Sequence, residues 1–202
     1  MEEPEAHLHP QYQNTFFEYL NELQSKGLQV FVTSHSPTIT AKSDVNNISI
    51  LQRKQSIIQS FSFDELSEDD YPKESKRHLR KFLDTTKAQL FFANGVLLVE
   101  GVAEAIIIPI LAKKFLTEKI DLCKSGIELV NIGGVAFNHF GLLFNNDDER
   151  KRLLSKCAII TDSDPKDNGD ISDRAQKAKD LEKHNLKVCL ATHTLEHDLF
   201  EQ

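Results

Sequence analysis

Along the N-terminal part of the chain the apolar positions change period more than once. Phe16, Phe17, Leu20 and Leu23 fall on one helical face, so their spacing predicts an amphipathic helix that Gly27 stops. Residues 28–33, Leu-Gln-Val-Phe-Val-Thr, read as a short buried strand, and Ser34-His-Ser-Pro37 as a loop opening a new turn. Two more strands are expected at 47–51 and 56–61, paired around Arg53-Lys54-Gln55. Residues 63–71 turn acidic and polar, and Pro72 closes them as a boundary. Residues 73–81 follow with five basic side chains against one acid, read as a solvated helix face that could steer phosphates.

From residue 94 the pattern becomes a regular alternation. Residues 96–99, 127–132, 157–161 and 187–191 read as buried strands, and 104–115, 149–156 and 172–184 as helices. Strands alternating with helices imply right-handed crossovers and a mostly parallel sheet with helices on both faces. The fold class is therefore α/β. In that architecture ligands sit beyond the carboxyl ends of the strands.

Composition narrows the picture. The 202 residues carry 31 acidic against 24 basic side chains, a net charge of −7, with 40% hydrophobic and 27% charged residues. This describes a soluble globular protein of one large domain or two small ones. No window approaches the roughly 18 uninterrupted apolar residues of a membrane span. The N-terminus lacks the basic and apolar regions of a signal peptide, so a cytoplasmic protein with no membrane partner is expected. The negative balance argues against binding nucleic acid through bulk charge, but leaves room for a local basic stripe or a metal site. Cys123, Cys157 and Cys189 are far apart, without a C-x-x-C, and are expected as buried reduced thiols.

The strand ends carry the chemistry. The strand at 96–99 runs into Glu100-Gly101, with Glu104 four residues on, and the strand at 157–161 runs into Asp162-Ser163-Asp164. The last strand is followed by Thr192-His-Thr-Leu-Glu-His-Asp198. Three strand ends thus bring carboxylates to one edge, and packed like charges are costly unless a cation holds them. Oxygen-only ligands favour Mg2+, Mn2+ or Ca2+, and two such ions about 4 Å apart suit phosphoryl displacement.

Leu97-Leu-Val-Glu-Gly-Val-Ala-Glu104, Val130-Asn-Ile-Gly-Gly134 and Thr161-Asp-Ser-Asp164 together resemble a Toprim domain, the catalytic module of topoisomerases, primases and certain nucleases. The resemblance implies that Glu100, Asp162 and Asp164 are metal ligands or general acid/base groups. Glu104 and the segment Leu195-Glu-His-Asp-Leu199 are similar to the OLD (overcoming lysogenization defect) family of ATP-dependent endonucleases, which implies that Glu104 and Glu196 help hold a second metal ion. Glu2-Glu-Pro-Glu-Ala-His-Leu-His-Pro10 resembles the end of a Walker B motif and the D-loop of ABC-type ATPases, and Thr33-Ser-His-Ser-Pro37 their switch-histidine loop. By that resemblance Glu2 lies on the magnesium side, Glu3 polarises the attacking water and His35 contacts the γ-phosphate. The implied organisation is the C-terminal part of an ABC-type ATPase domain over 1–62, a linker and basic helix over 63–92, and a Toprim nuclease domain over 93–202. The implied activity is metal-dependent cleavage of DNA gated by ATP and directed against phage or other foreign DNA, in a homodimer formed through the ATPase domain and with a helicase-like partner.

Parts of the family pattern are missing. The sequence has no Gly-x-x-x-x-Gly-Lys-[Ser/Thr], and so no P-loop to cradle phosphates, and it lacks the ABC signature and the basic residue expected after the Leu-Glu motif. It is read as a piece of a larger nuclease, and an alternative is a non-catalytic regulatory or assembly module. His193-Thr-Leu-Glu-His197 also matches H-x-x-E-H formally, a remote zinc-peptidase alternative. His7 and His9 are read as interface or capping residues, and Lys113-Lys114 and Lys151-Arg152 as solvated helix faces.

Overall fold

A computed structural model describes residues 1–115, 120–134, 136–166 and 169–200. The N-terminal segment holds helices α1 (Pro10–Ser25) and α2 (Pro37–Lys42). Each starts with proline at its first turn, where the missing N–H costs nothing. Ser36 caps α2 by accepting from the Ile39 amide. A hairpin follows, β1 (Ser49–Lys54) with β2 (Ile57–Ser62), in antiparallel register. Then come α3 (Lys73–Phe82) and the single turn α4 (Thr85–Ala88). The remainder alternates: β3 (Gly95–Val99), α5 (Val102–Phe115), β4 (Ile127–Asn131), α6 (Phe137–Gly141), β5 (Lys156–Thr161), α7 (Asp173–Lys179), β6 (Leu186–Leu190) and α8 (Leu195–Phe200).

β3 to β6 form one parallel sheet in the order β4-β3-β5-β6, so the mixed α/β class and the parallel sheet hold. One hydrophobic core runs from Val45 through Phe61, Phe63, Leu79 and Leu98 to Phe140, Ile159 and Leu186. The hairpin and α3 are part of that core. α3 is fastened by Lys76, which donates to the carbonyls of Phe63 at 2.7 Å and Leu66 at 3.2 Å, and by the Arg80–Asp44 pair at 2.9 Å. Its basic run is therefore partly spent on holding the helix in place. Among the described residues no helix is long and apolar enough to cross a membrane.

Several local expectations fail for identifiable reasons. Residues 28–33 form no strand. Phe31 and Leu28 are exposed, and the backbone pairs with the extreme N-terminus, through the bridge of Glu2 with Thr33, while the Leu28 amide turns back to the Leu23 carbonyl. Residues 149–156 form a short 3-10 turn, Glu149–Lys151, and then extend. The Leu153 amide donates to the Leu143 carbonyl at 2.7 Å and the Leu154 amide to Gln52 Oε1 at 2.6 Å, so these peptides are committed outside any helix. Lys151 and Arg152 are correspondingly engaged: Lys151 pairs with Asp70 at 2.8 Å and Arg152 donates to the Asn146 carbonyl at 2.6 Å. The helix expected over 172–184 stops at Lys179, and His184, in the left-handed region at φ 50°, turns the chain into β6. Of the cysteines only Cys157 is buried, whereas Cys123 and Cys189 are exposed; all three are free.

Between α3 and α6, His78 stacks on His139 at 4.2 Å, and Ser75 hydrogen-bonds His139 Nδ1 at 2.9 Å. Burial holds both imidazoles below the ordinary histidine value of 6.5, and at His78 the neighbouring His139 adds to it. On acidification the unfolded chain takes up these protons first, so the stability contributed is present above 6.5 and lost as pH falls. Thermal denaturation is expected to give a lower melting temperature at pH about 5.5 than at about 7.5, with His78→Phe reducing the difference.

Candidate active site

Parallel strands present their carboxyl ends to one edge. The register pairs Val99 with Ile160 and Ile160 with Cys189, so Glu100, Asp162 and the chain after β6 emerge side by side. Glu100 is fixed from two directions. Its Oε1 accepts from the Thr161 hydroxyl and, at 3.4 Å, from the Asp162 amide, while the Gly134 amide donates to its backbone carbonyl at 2.9 Å. Gly133 and Gly134 both take positive φ in that turn, which glycine does without steric cost. Gly101 leaves room for the next carboxylate: a Cβ there would lie 3.2 Å from Glu104 Oε2.

The Asp-x-Asp loop is tied down by its middle residue. Ser163 is buried and donates its hydroxyl to the Thr192 carbonyl at 2.5 Å, while its amide donates to the His193 carbonyl at 3.2 Å. Asp162 Oδ1 accepts the Leu195 amide at 3.0 Å, linking it to the first residue of α8. Asp164 sits in the left-handed region at φ 41°, unusual for a residue with a side chain and of the kind found where surrounding structure imposes a conformation. Glu196 lies in the first turn of α8, one residue beyond the Leu195 amide that Asp162 accepts.

Arg174, in the first turn of α7, was not singled out from sequence. Its Nη1 lies 3.4 Å from Glu100 Oε2, and its Nη2 donates to Asp164 Oδ2. The sequence signal that could have found it is a cation placed in a helix first turn, where the macrodipole favours acids. Thr161 was likewise passed over as the last strand residue. The Asp162 carboxyl titrates above its ordinary value. Burial is the first cause, the Leu195 amide opposes it, and the charges of Glu100, Asp164 and Glu104 raise it further.

The donor set, carboxylate oxygens with no thiolate, suits a hard divalent ion. The space a Cβ would fill over Gly101 also fits such a site, since it leaves the Glu104 carboxylate free to lie there. In the arrangement found here Glu100 and Asp164 are bridged by a guanidinium, and no group of three or more His, Cys, Asp or Glu is gathered as a metal cluster among the described residues. The H-x-x-E-H reading finds no support in the local structure. α8 begins at Leu195, so His193 precedes the helix that carries His197, although the two rings lie 4.5 Å apart.

At the N-terminus, Glu3 and His35 come together. The Thr33 amide donates to Met1 O at 3.0 Å and the Glu3 amide to Thr33 O at 2.8 Å, which sets His35 Nε2 3.3 Å from Glu3 Oε1. Glu2 occupies the bridge opposite Thr33. Glu3, too, is in the left-handed region, at φ 38°.

A parallel α/β sheet with a glutamate on one strand end and Asp-x-Asp on the next is the arrangement of a Toprim-type domain. Residues 91–164 match the family described as "Overcoming lysogenization defect protein-like, TOPRIM domain", and residues 1–40 match the AAA ATPase domain family. Residues 91–164 are thus similar to OLD-like Toprim sequence and residues 1–40 to AAA-type ATPase sequence. It is 28% identical to the Old nuclease of Escherichia phage P2 across 80% of this chain and 28% of that protein. Endonuclease GajA of Bacillus cereus (strain HuB5-5) is also 28% identical, over 90% of this chain and 28% of its own length. The chain therefore spans little more than a quarter of these relatives. The C-terminal region of the Burkholderia pseudomallei OLD protein aligns with a TM-score of 0.42 at 24% identity, over 55% of this chain and 59% of that one.

The elevated Asp162 carboxyl makes a prediction about stability. A folded-state value above the unfolded one means that the native state is favoured at low pH and loses that advantage as pH rises and Asp162 ionises. In chelator, Asp162→Asn is expected to raise the melting temperature at pH 7, and to raise it less at pH 4, where Asp162 is more fully protonated in both states.

Proposed function

We propose that the protein is a metal-dependent DNA endonuclease whose cleavage is controlled by the ATPase portion. The observation that supports this most directly is the anchoring of Glu100, on the end of β3, to Thr161 and Asp162 on the end of β5. The nuclease names of the relatives agree with it.

In this reading Glu100, Asp162 and Asp164 hold one ion or act as general acid/base groups, and Glu104 and Glu196 hold a second. The ions, Mg2+ or Mn2+, would supply positive charge to the oxygens that attack and leave phosphorus. The chain's own contribution is positional. Ser163 keeps the Asp-x-Asp loop against the segment after β6, and the Leu195 amide orients Asp162. Burial and the neighbouring charges push the Asp162 carboxyl above its ordinary value, which suits it to hold a proton. At the other end, Glu3 orients a water and His35 faces a nucleotide phosphate when ATP binds in the complete protein, with Glu2 beside its magnesium. A homodimer through the ATPase portion, a helicase-like partner, a cytoplasmic location and a role against phage DNA belong to the same proposal.

Supercoiled plasmid incubated with the protein, ATP and Mg2+ or Mn2+ tests it. Nicking is expected with metal and not with EDTA, and Glu100→Ala is expected to reduce it by about 100-fold or more, the scale for losing one preorganised electrostatic contact. Undiminished nicking by Glu100→Ala would show that the assigned site is wrong. Absence of nicking under every metal and nucleotide condition would favour the assembly-module reading.

A further inference from the structure

The carboxylate roles proposed above leave Arg174 without a task, although it touches two of the groups involved. Its guanidinium bridges Glu100, from the end of β3, and Asp164, from the loop after β5. It is held there by the chain around it. The Ser172 amide donates to the Ser163 carbonyl at 2.9 Å, tying the start of α7 to the Asp-x-Asp loop, and Ser172 Oγ caps α7 by accepting the Ala175 amide at 3.2 Å. Lys166 is nearby but pairs with Asp173 at 2.6 Å.

Two features set the bridge apart from a fully satisfied ion pair. Arg174 Nε is buried without a hydrogen-bond partner, and a buried donor left unmade is costly. Glu100 and Asp164 also lie close enough to Asp162 for their charges to push its carboxyl up, and arginine supplies an offsetting charge without being able to give up its proton.

We propose that Arg174 is an internal counter-ion that competes with a divalent cation for Glu100 and Asp164, so that metal loading requires the guanidinium to leave. The inference rests on the reading of these carboxylates as metal ligands. Arg174 is a positioning residue in this sense: it holds the acidic edge together until an ion takes over, and it sets the ion concentration at which that exchange occurs. Only the ion pairs break and re-form in the exchange, and no covalent bond or proton transfer is involved.

Mn2+ titrated calorimetrically into chelator-treated protein tests the competition. Arg174→Gln is expected to tighten Mn2+ binding by about tenfold, the order expected for removing one competing charge at contact distance. Lys166→Gln, which removes an equal charge with no contact to Glu100 or Asp164, is expected to change it by less than about twofold. Arg174→Lys keeps the charge but not the planar fork, and is expected to fall between wild type and Arg174→Gln. This variant carries the test if Arg174→Gln does not fold. A second readout is thermal: in EDTA, Arg174→Gln is expected to melt below wild type, and Mn2+ is expected to raise its melting temperature by more than it raises that of wild type.

Binding that Arg174→Gln leaves unchanged or weakens, or a Lys166→Gln effect as large as that of Arg174→Gln, would overturn the competition. Glu100→Gln separates the two readings. If it leaves Mn2+ binding intact, the metal-ligand assignment fails; if it weakens binding while Arg174→Gln changes nothing, only the competition fails.

Discussion

The parallel pairing of β3 with β5 is the constraint on which the acidic edge depends. Were these strands antiparallel, Glu100 and Asp162 would leave the sheet at opposite ends, some five residues of strand apart. The pairing is held by apolar residues rather than by the site. Leu98, Val99 and Ile159 are fully buried, and the near-continuous apolar run of β3 is what a parallel strand covered on both faces requires. The sheet thus gathers the carboxylates on the strength of hydrophobic burial elsewhere.

What is gathered is electrostatically unfavourable, and the surroundings offset it locally. The Leu195 amide faces Asp162, the Thr161 hydroxyl faces Glu100, and Arg174 lies between Glu100 and Asp164. The net charge of −7 is therefore not a uniform property of the surface, since part of the acidic surplus is concentrated at this one edge. Some basic side chains elsewhere fasten the fold, as with Lys76 on the backbone of residues 63–66 and Lys151 on Asp70, whose carboxyl is held well below the usual range chiefly by that lysine.

The N-terminal segment adjoins the sheet-bearing part through α2, which packs against α4, and through His35. The His35 ring meets Phe92 edge-on at 6.4 Å, and together they help line a cleft of about 910 Å³ that continues to Ile110, Lys113 and Glu128 on α5 and β4. His35, which pairs with Glu3, thus lines a surface that reaches β4, the strand next to β3. The cleft meets β4 at its N-terminal half, Ile127 to Leu129, the end of the sheet opposite the acidic edge.

Much of this was written in local sequence. The apolar runs at 96–99 and 157–161 are short and lie in a strand–helix alternation, which suits buried strands, and the carboxylates at their ends followed from the geometry of parallel strands. Other features depended on partners far along the chain, which no local pattern encodes. Residues 28–33 are apolar enough for a strand, but the partner strand they need is replaced by the short N-terminal segment and, at Leu28, by the end of α1. Residues 149–156 have helical spacing, but their peptides are claimed by Leu143 and by Gln52, about a hundred positions away. Arg174 is the clearest case. In sequence it is one cation on a short polar helix, and only the packing of the start of α7 against the Asp-x-Asp loop brings its guanidinium between two carboxylates from different strand ends. The sequence by itself determined which groups would stand at the edge of the sheet; the tertiary structure decided which charges they would face, because charge pairing depends on distance through space and not on separation along the chain.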